Sequence, residues 1–451
     1  VKAADILIIG AGQGAPVVFE AAEKAGKRCL IAESGEVGGS CVNFGCTPTK
    51  AAIASTNLLA LIRRSGEFGL RSDVEPDFEK ILSEARGFSE RSRHSLEKYY
   101  GRDLIRGVAR FVGRKGDGYV VRCGEEEVHA AQVVIGTGTG SVTPRIEGLD
   151  PAACIYPENW HRRTELPKSM AIVGAGYIAM EMGQFYQRLG CQMSVIDRSA
   201  CPLGTEDEEV SGFVRETLAK EGVEFVLSTT FERAERTPEG WRLSCSCPEG
   251  PRELVAQKIF IAAGRRGNTD NLGLDTVGIV PDPKTGYLSV DEHLRTSAPG
   301  IFAMGDVRGG GLFTSTAWDD GRIVSDLLFG DGRRTTDRLV PYAVFTDPEV
   351  GRVGLSERQA RESGMKFRIA KFDLAHSGAA LEHRAARGFV KLVIEEGTNQ
   401  ILGAAVATAG ASDLIMLFSL MMQVRAPVTV LRDMVVVHPT FAEALQSAVL
   451  D

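Results

Sequence analysis

The sequence predicts an α/β protein in which one strand–turn–helix–strand unit occurs twice, followed by a C-terminal region of α+β character. Three observations carry this. Ile8-Ile9-Gly10-Ala11-Gly12-Gln13-Gly14-Ala15 returns as Ile172-Val173-Gly174-Ala175-Gly176-Tyr177-Ile178-Ala179, each after an apolar strand and before a helical pattern. In each copy a second strand runs into an acid, Glu33 or Asp197, 23 residues beyond the first glycine. Beyond Pro341, strand patterns near 350, at 367–373 and at 389–404 precede two helical patterns, the texture of an antiparallel sheet packed with helices.

The repeated unit has the physical logic of a dinucleotide-binding βαβ fold. Its first glycine, Gly10 or Gly174, permits a tight turn. Its second, Gly12 or Gly176, lets backbone N–H groups approach a pyrophosphate at the helix N-terminus. The third position is alanine in both copies, Ala15 and Ala179, small enough for close helix–strand packing. Glu33 and Asp197 are placed to accept hydrogen bonds from ribose hydroxyls. One such turn also occurs in other α/β proteins. Two, each with its strand, helix and matched acid, predict two Rossmann-like domains and two bound dinucleotides.

The rest of the chain fills in around them. Residues 50–100 read as a charged helical insertion, and 105–135 as short strands ending at Val133-Val134-Ile135-Gly136-Thr137-Gly138. The second unit ends alike at Ile259-Phe260-Ile261-Ala262-Ala263-Gly264-Arg265. Ile301-Phe302-Ala303-Met304-Gly305-Asp306 is a strand finishing in Gly-Asp. The expected divisions are 1–149, 150–272, 273–340 and 341–451.

Apolar content of 43% and charged content of 25% are those of a folded protein, and a net charge of −7 gives no electrostatic case for nucleic acid or an anionic membrane. Nine cysteines in 451 residues are too few for a disulfide scaffold. Cys29, Cys123, Cys154, Cys191 and Cys201 read as reduced thiols of a cytoplasmic protein. The opening Asp5–Gly10 run reads as a buried strand and is shorter than a secretory apolar segment. The most apolar stretch, 401–424, is broken by Gly410, Ser412 and Asp413. It predicts a buried helix capped by Ser412 and ending at Gln423, too short to span a bilayer.

The sharpest local signal is Gly38-Gly39-Ser40-Cys41-Val42-Asn43-Phe44-Gly45-Cys46-Thr47-Pro48-Thr49-Lys50. Cysteines five apart lie about 140° apart around an ideal helix, so a regular helix would separate them. Gly45 and Pro48 instead fit an irregular turn before a helix, with Thr47 capping and Pro48 at the first position. That turn permits a small strained disulfide and puts the second sulfur near a helix N-terminus, which favours thiolate. Two structural thiols on a turn are the competing reading. A metal site would need a CxxC pair or a nearby histidine, and neither is present. The position just past the first dinucleotide unit favours redox chemistry.

The Cys41–Lys50 stretch resembles the signature of the class I pyridine nucleotide-disulfide oxidoreductases. This family includes dihydrolipoyl dehydrogenases, glutathione reductases, mercuric reductases and bacterial chlorine-resistance flavoproteins. The resemblance covers essentially the whole chain and implies FAD and NAD(P)H as cofactors. It implies that Cys41 attacks substrate and that Cys46 is the thiolate in contact with the flavin. Lys50 would approach the flavin and pair with Glu181. Gly39, Ser40, Thr137, Gly138, Asp306 and Thr314 would join Gly10, Gly12, Gly14 and Glu33 around FAD. Tyr177 would cover the nicotinamide pocket, with Ile178, Arg198 and Gly264 beside Gly174, Gly176 and Asp197.

Near the end stands His438-Pro439-Thr440-Phe441-Ala442-Glu443. Unaided, a histidine before proline reads as a turn or packing residue. The resemblance makes His438 a general acid–base oriented by Glu443 and reaching the cysteines of the other subunit, which implies a homodimer.

Within the family, Phe313–Asp320 and Val344–Glu349 look closest to the mercuric-reductase-like and chlorine-resistance branch. The expected substrate is therefore a metal ion or a small-molecule disulfide. No cysteine follows Cys247, and His438 stands where mercuric reductases use tyrosine, which argues against efficient mercuric reduction. The His438–Glu443 pair keeps a dihydrolipoyl dehydrogenase or glutathione-reductase-like activity as the alternative, and a non-catalytic redox-sensing flavoprotein is the alternative of another class. Asp197 favours NADH while Arg198 favours NADPH, so the two leave the donor open. Cys245 and Cys247 alternate along a strand and face one side; His376, His383, Arg63-Arg64 and Arg265-Arg266 read as solvated surface.

Overall fold

The computed structural model describes residues 1–450. The first region runs β1 (Lys2–Ile9), α1 (Ala15–Lys24), β2 (Cys29–Glu33), α2 (Gly39–Asn43), α3 (Cys46–Arg63) and α4 (Phe78–Tyr100). It continues as β3 (Leu104–Arg106), β4 (Ala109–Lys115), β5 (Gly118–Cys123), β6 (Glu126–Ile135) and β7 (Thr139–Ser141). The second region holds β8 (Ser169–Val173), α5 (Tyr177–Arg188), β9 (Gln192–Ile196), α6 (Glu208–Lys220) and β10 (Glu224–Val226). A meander of β11 (Thr230–Thr237), β12 (Gly240–Cys247) and β13 (Gly250–Ala256) leads into β14 (Lys258–Ile261) and β15 (Arg265–Gly267). The chain then returns to the first region through β16 (Ile301–Ala303) and α7 (Thr314–Phe329).

β1 pairs in parallel with β2 and β6, and the far half of β6 pairs in parallel with β16. Because side chains alternate along a strand, Ile6 and Ile8 enter the apolar cluster with α1, while Leu7 and Ile9 enter the cluster on the opposite face. Both faces are covered, which is why the strand reads as an unbroken apolar run. The second sheet has the parallel order β10-β9-β8-β14. A two-stranded antiparallel ribbon of β7 and β15 ties the two regions together.

The C-terminal region contains β17 (Tyr342–Val344), β18 (Glu349–Gly354), α8 (Glu357–Glu362), β19 (Phe367–Asp373) and α9 (Gly378–Glu382). It ends with β20 (Phe389–Glu395), β21 (Ile401–Thr408), α10 (Ala411–Gln423), α11 (Val428–Asp433) and α12 (Glu443–Ser447). Its antiparallel sheet runs β17-β18-β21-β20-β19. The 389–404 pattern is thus two strands of a hairpin, which turns through Asn399 at positive φ. Uniform burial along both strands hid the turn from the sequence pattern.

Ser412 does not cap α10. Gly410 occupies the cap in the left-handed region, and the Ser412 amide inside the first turn donates to Glu349 Oε2 at 2.9 Å. A glycine reaches that backbone conformation at no steric cost and so displaces the expected serine. Among the described residues, no helix is long and apolar enough to cross a membrane.

Candidate functional site

The two glycine turns are built alike. Gly10 has φ 99°, and a Cβ there would lie 2.3 Å from the Gly136 carbonyl oxygen; Gly174 has φ 109°, and a Cβ would lie 2.2 Å from the Ala262 oxygen. Each turn therefore presses against the end of the strand that closes its unit, an approach only glycine allows. The matched acids are wired alike too. Glu33 accepts the Ala11 amide at 2.7 Å and the Gly35 amide at 2.7 Å. Asp197 accepts the Ala175 amide at 3.0 Å and the Ser199 amide at 2.6 Å. Ala15 is fully buried at the start of α1 and packs against the fold instead of facing a ligand.

A cavity of about 1150 Å³ runs from the first glycine turn, past Gly39, Ser40, Thr137 and Gly138, to the cysteines. It exceeds the usual size of a small-molecule pocket and suits an extended dinucleotide. Its wall fits such a ligand: the Thr137 hydroxyl is buried with no partner among the described residues, and a Cβ at Gly138 would meet no atom within 4 Å. Asp306, in the turn after β16, also lines it, and burial raises its carboxyl above the ordinary range. Gly174, Gly176, Asp197, Arg198 and Gly264 lie outside this cavity, on the second unit, where Gly176 and Gly264 both face open space.

Cys41 and Cys46 stand on separate helices, α2 and α3, joined through Phe44 and Gly45. A side chain at Gly45 would strike the Ser40 carbonyl oxygen at 2.8 Å, so this glycine lets the helices meet closely. The α3 cap is Gly45, with Cys46 as its first residue, not Thr47 with Pro48 leading as the sequence suggested. Proline tolerates any position in the first turn, so Pro48 alone did not fix the start. Cys46 gains from the difference, because its sulfur belongs to the residue nearest the positive end of the helix. Asn43 braces the turn by donating to the carbonyls of Glu36, Val37 and Gly39, and the Trp160 indole donates to the Phe44 oxygen at 2.9 Å.

The two sulfurs are unequal. A hydrogen bond from Cys41 lowers the Cys46 thiol well below its ordinary value against the cost of burial, and Thr314 and Lys50 act in the same direction. Thr314 Oγ1 lies 3.2 Å from Cys46 Sγ. The same hydrogen bond, together with burial, drives the Cys41 thiol upward. One sulfur ionises readily and the other keeps its proton.

Lys50 Nζ contacts Glu181 Oε2 at 2.6 Å, joining α3 to α5, and the Phe345 amide donates to Glu181 Oε1 at 3.0 Å. Tyr177 and Ile178, at the start of α5, line the cavity, and burial pushes the Tyr177 hydroxyl up to about 12. Arg265 is not solvated as the sequence suggested. Its guanidinium donates to the Thr139 side chain at 2.6 Å and to the Thr139 carbonyl at 2.7 Å, and lies 3.6 Å from Glu158. A pair of adjacent arginines gives no sequence sign of which one turns inward. Arg266 faces Asp270 outside. His376 and His383 are exposed. Cys245 and Cys247 share one apolar cluster, Cys245 buried and Cys247 at its margin beside the Thr229 hydroxyl.

His438 Nδ1 lies 2.8 Å from Glu443 Oε1, and the other Glu443 oxygen accepts the Thr440 amide at 2.8 Å. The bond to Glu443 raises the imidazole above its ordinary value. Neither residue lines the cysteine cavity, and the His438 side chain is 77% exposed, beside the exposed Val435 and Val437. Among the described residues, no group of three or more His, Cys, Asp and Glu side chains could hold a metal ion.

Residues 4–321 match the pyridine nucleotide-disulphide oxidoreductase family. The chain belongs to the pyridine nucleotide-disulphide oxidoreductases. Residues 340–449 match the dimerisation domain of these enzymes, which use FAD and NAD(P)H. Dihydrolipoyl dehydrogenase of Cupriavidus necator is 30% identical, with 100% of this chain and 98% of that protein covered. Mercuric reductase of Staphylococcus aureus is 31% identical over 99% of this chain and 82% of its own length. The solved Cu(II) complex of the HOCl-induced flavoprotein disulfide reductase RclA from Escherichia coli superposes with a TM-score of 0.88 at 28% identity, covering 99% of both chains. The oxidoreductase is thus an enzyme of this flavoprotein family with the α/β architecture and C-terminal dimerisation domain that its sequence predicts.

Proposed function

We propose that this oxidoreductase passes electrons from NAD(P)H through FAD and the Cys41–Cys46 pair to a metal ion or a small-molecule disulfide. One observation carries the reading: both sulfurs and the Lys50–Glu181 pair open onto the same cavity that the first glycine turn lines. In this reading the chain divides after residues 149, 272 and 340 and works in a reducing, cytoplasmic setting, which is supported by nine cysteines, too few for a disulfide scaffold.

FAD, when bound, would supply the two-electron relay between the nicotinamide and the Cys41–Cys46 disulfide. The turn at Gly10–Gly14 and Glu33 would hold its adenosine end, with Gly39, Ser40, Thr137, Gly138 and Asp306 along the rest. Gly174, Gly176, Ile178, Asp197, Arg198 and Gly264 would hold NAD(P)H, and Tyr177 would cover the nicotinamide. Two electrons and one proton convert the disulfide into a Cys41 thiol and a Cys46 thiolate, which Lys50 and Thr314 stabilise. Cys41 gives its proton to His438 of the partner subunit and attacks a substrate disulfide. His438 of the partner subunit then protonates the departing sulfur. Cys46 attacks Cys41, releasing the second substrate sulfur and restoring the protein disulfide. With a metal ion such as Cu(II), two ions would each take one electron while the Cys41 thiol gives up its proton and closes with the Cys46 thiolate to the disulfide.

The shared site requires a homodimer. The His438–Glu443 pair is exposed on its own subunit, and an apolar stripe of Met416 and Leu420 on α10, continued by Val424 just past its end, offers a surface to a second copy. That same intact pair favours the second reading, a dihydrolipoyl dehydrogenase or glutathione-reductase-like enzyme, because only a sulfur leaving group needs its proton.

Steady-state oxidation of NADH and NADPH against lipoamide, glutathione disulfide, Cu(II) and Hg(II) tests the proposal. Turnover should appear with Cu(II) or a disulfide and vanish in Cys46→Ser, along with the long-wavelength absorbance seen on anaerobic reduction. Persistence of that absorbance in Cys46→Ser would overturn the assignment. Background turnover with every acceptor, in protein that holds FAD, would mark a redox sensor instead.

A further inference from the structure

Phe345 comes from the C-terminal region, yet it touches both halves of an ion pair that belongs to the other two. Lys50 is on α3 and Glu181 on α5. The Phe345 amide donates to Glu181 Oε1 at 3.0 Å, and the Phe345 ring centroid lies 4.6 Å from the Lys50 ammonium. The backbone of one residue therefore holds the acid while its ring holds the cation. Glu181 is fully engaged, one oxygen on each partner, and its side chain is only 5% exposed. Lys50 keeps 33% of its side-chain surface exposed where it lines the cavity, and the Phe345 ring covers one flank of its ammonium. An aromatic face attracts a cation more strongly where water is thinned out.

The loop carrying Phe345 is itself fixed by α5. Gln184 Oε1 accepts the Asp347 amide at 2.8 Å, while Gln184 Nε2 donates to the Asp347 carbonyl at 2.9 Å. Arg188 donates to Asp347 Oδ2 at 2.8 Å. Glu181, Gln184 and Arg188 fall three and four residues apart, so one face of the helix grips successive groups of the loop. Asn57, also on α3, accepts from the same arginine at 2.7 Å. The ring is thus held over Lys50 by rigid elements and not by a mobile segment.

We propose that Phe345 is a positioning residue for electron transfer: its ring sets where the Lys50 ammonium sits between Glu181 and the reacting groups of the cavity. The inference rests on the reading above that Lys50 serves the bound flavin. A leucine or methionine would fill much of the same space but offers no aromatic face, and a tyrosine keeps the face. Without the ring, the ammonium gains freedom to turn toward water. Flavin reduction by the nicotinamide then slows, and Cys46 loses part of the positive field that favours its thiolate.

The test compares Phe345→Leu, Phe345→Met and Phe345→Tyr with wild type, as FAD-loaded dimers whose flavin content is measured first. Stopped-flow absorbance gives the rate of flavin reduction by NADH and by NADPH. Iodoacetamide alkylation against pH, in a Cys41→Ser background, gives the ionisation midpoint of Cys46 independently of turnover. Leu and Met should slow flavin reduction about tenfold and move the Cys46 midpoint to higher pH, while Tyr retains both wild-type values. If one of the aliphatic variants fails to load flavin, the other carries the test. Wild-type rates and midpoints in Leu or Met protein, or a Tyr variant as impaired as Leu, would overturn the inference. If wild type itself is reduced by neither nicotinamide, the proposed function falls, while the alkylation midpoints still judge Phe345.

Discussion

Replacing Asp197 with alanine tests how the second βαβ unit chooses between NADH and NADPH. The Asp197 carboxylate is pinned by the Ala175 and Ser199 amides at 3.0 and 2.6 Å, so it cannot rotate away from an approaching ribose. A 2′-phosphate carries a charge between about −1.5 and −2 near neutral pH. Replacing the hydroxyl with that phosphate would set two anions about 4 Å apart, where each unit of like charge costs about 4 kcal/mol at an effective dielectric constant near 20. Arg198 is exposed beside the acid, and water reaches the groove, so much of this is screened. A residual of about 2–3 kcal/mol corresponds to roughly 30- to 150-fold. Wild-type enzyme should therefore favour NADH by about that factor in kcat/KM, and Asp197→Ala should shrink the ratio at least tenfold by losing NADH and gaining NADPH. Stopped-flow flavin reduction with each nucleotide measures this without any acceptor. A wild-type preference for NADPH, or a ratio unmoved by Asp197→Ala, would refute the reasoning.

Two further changes probe the proton donor and the fold. In Glu443→Gln the imidazole of His438 loses the carboxylate charge that helps to raise its pKa, so it gives up its proton at lower pH. The alkaline limb of disulfide turnover should move to lower pH, with about a tenfold loss at pH 8, while flavin reduction by nicotinamide is unchanged. A pH–rate profile checks both halves. Arg352→Ala strands the Glu206 carboxylate, whose side chain is 5% exposed and whose partners are the Arg352 guanidinium at 2.8 Å and the Tyr342 hydroxyl. Leaving a buried charge unpaired costs about 3–5 kcal/mol. Chemical denaturation should show the corresponding drop in midpoint, with the flavin site retained in the folded fraction.

Much of this molecule was legible in the sequence because backbone constraints are local. Gly10 and Gly174 announce turns that no side chain could enter, and Glu33 and Asp197 follow at the distance one helix and one strand require. The cysteine motif was legible for the same reason, as a short segment with its own glycine and proline. Contacts between distant segments were not. Nothing around Arg265 shows that it reaches Thr139, and nothing around Phe345 shows that its ring meets Lys50. Both depend on how separate regions stack, and tertiary packing leaves no periodic mark on the chain. Helix starts failed for a subtler reason. Thr47 and Ser412 are good caps by chemistry, but Gly45 and Gly410 took the caps instead, Gly410 by adopting the left-handed backbone.

The identical wiring of Glu33 and Asp197 has a consequence for ligand sorting. Two clefts that present the same anchored carboxylate beside the same glycine turn cannot tell one adenosine from another by that feature. Between two adenosines that lack a 2′-phosphate, discrimination falls to the rest of each ligand: the first turn opens into the large cavity lined by Thr137 and Asp306, whereas Gly174 and Gly176 lie outside it. On that wiring, adenosine diphosphate alone, lacking any distinguishing tail, should compete at both glycine turns.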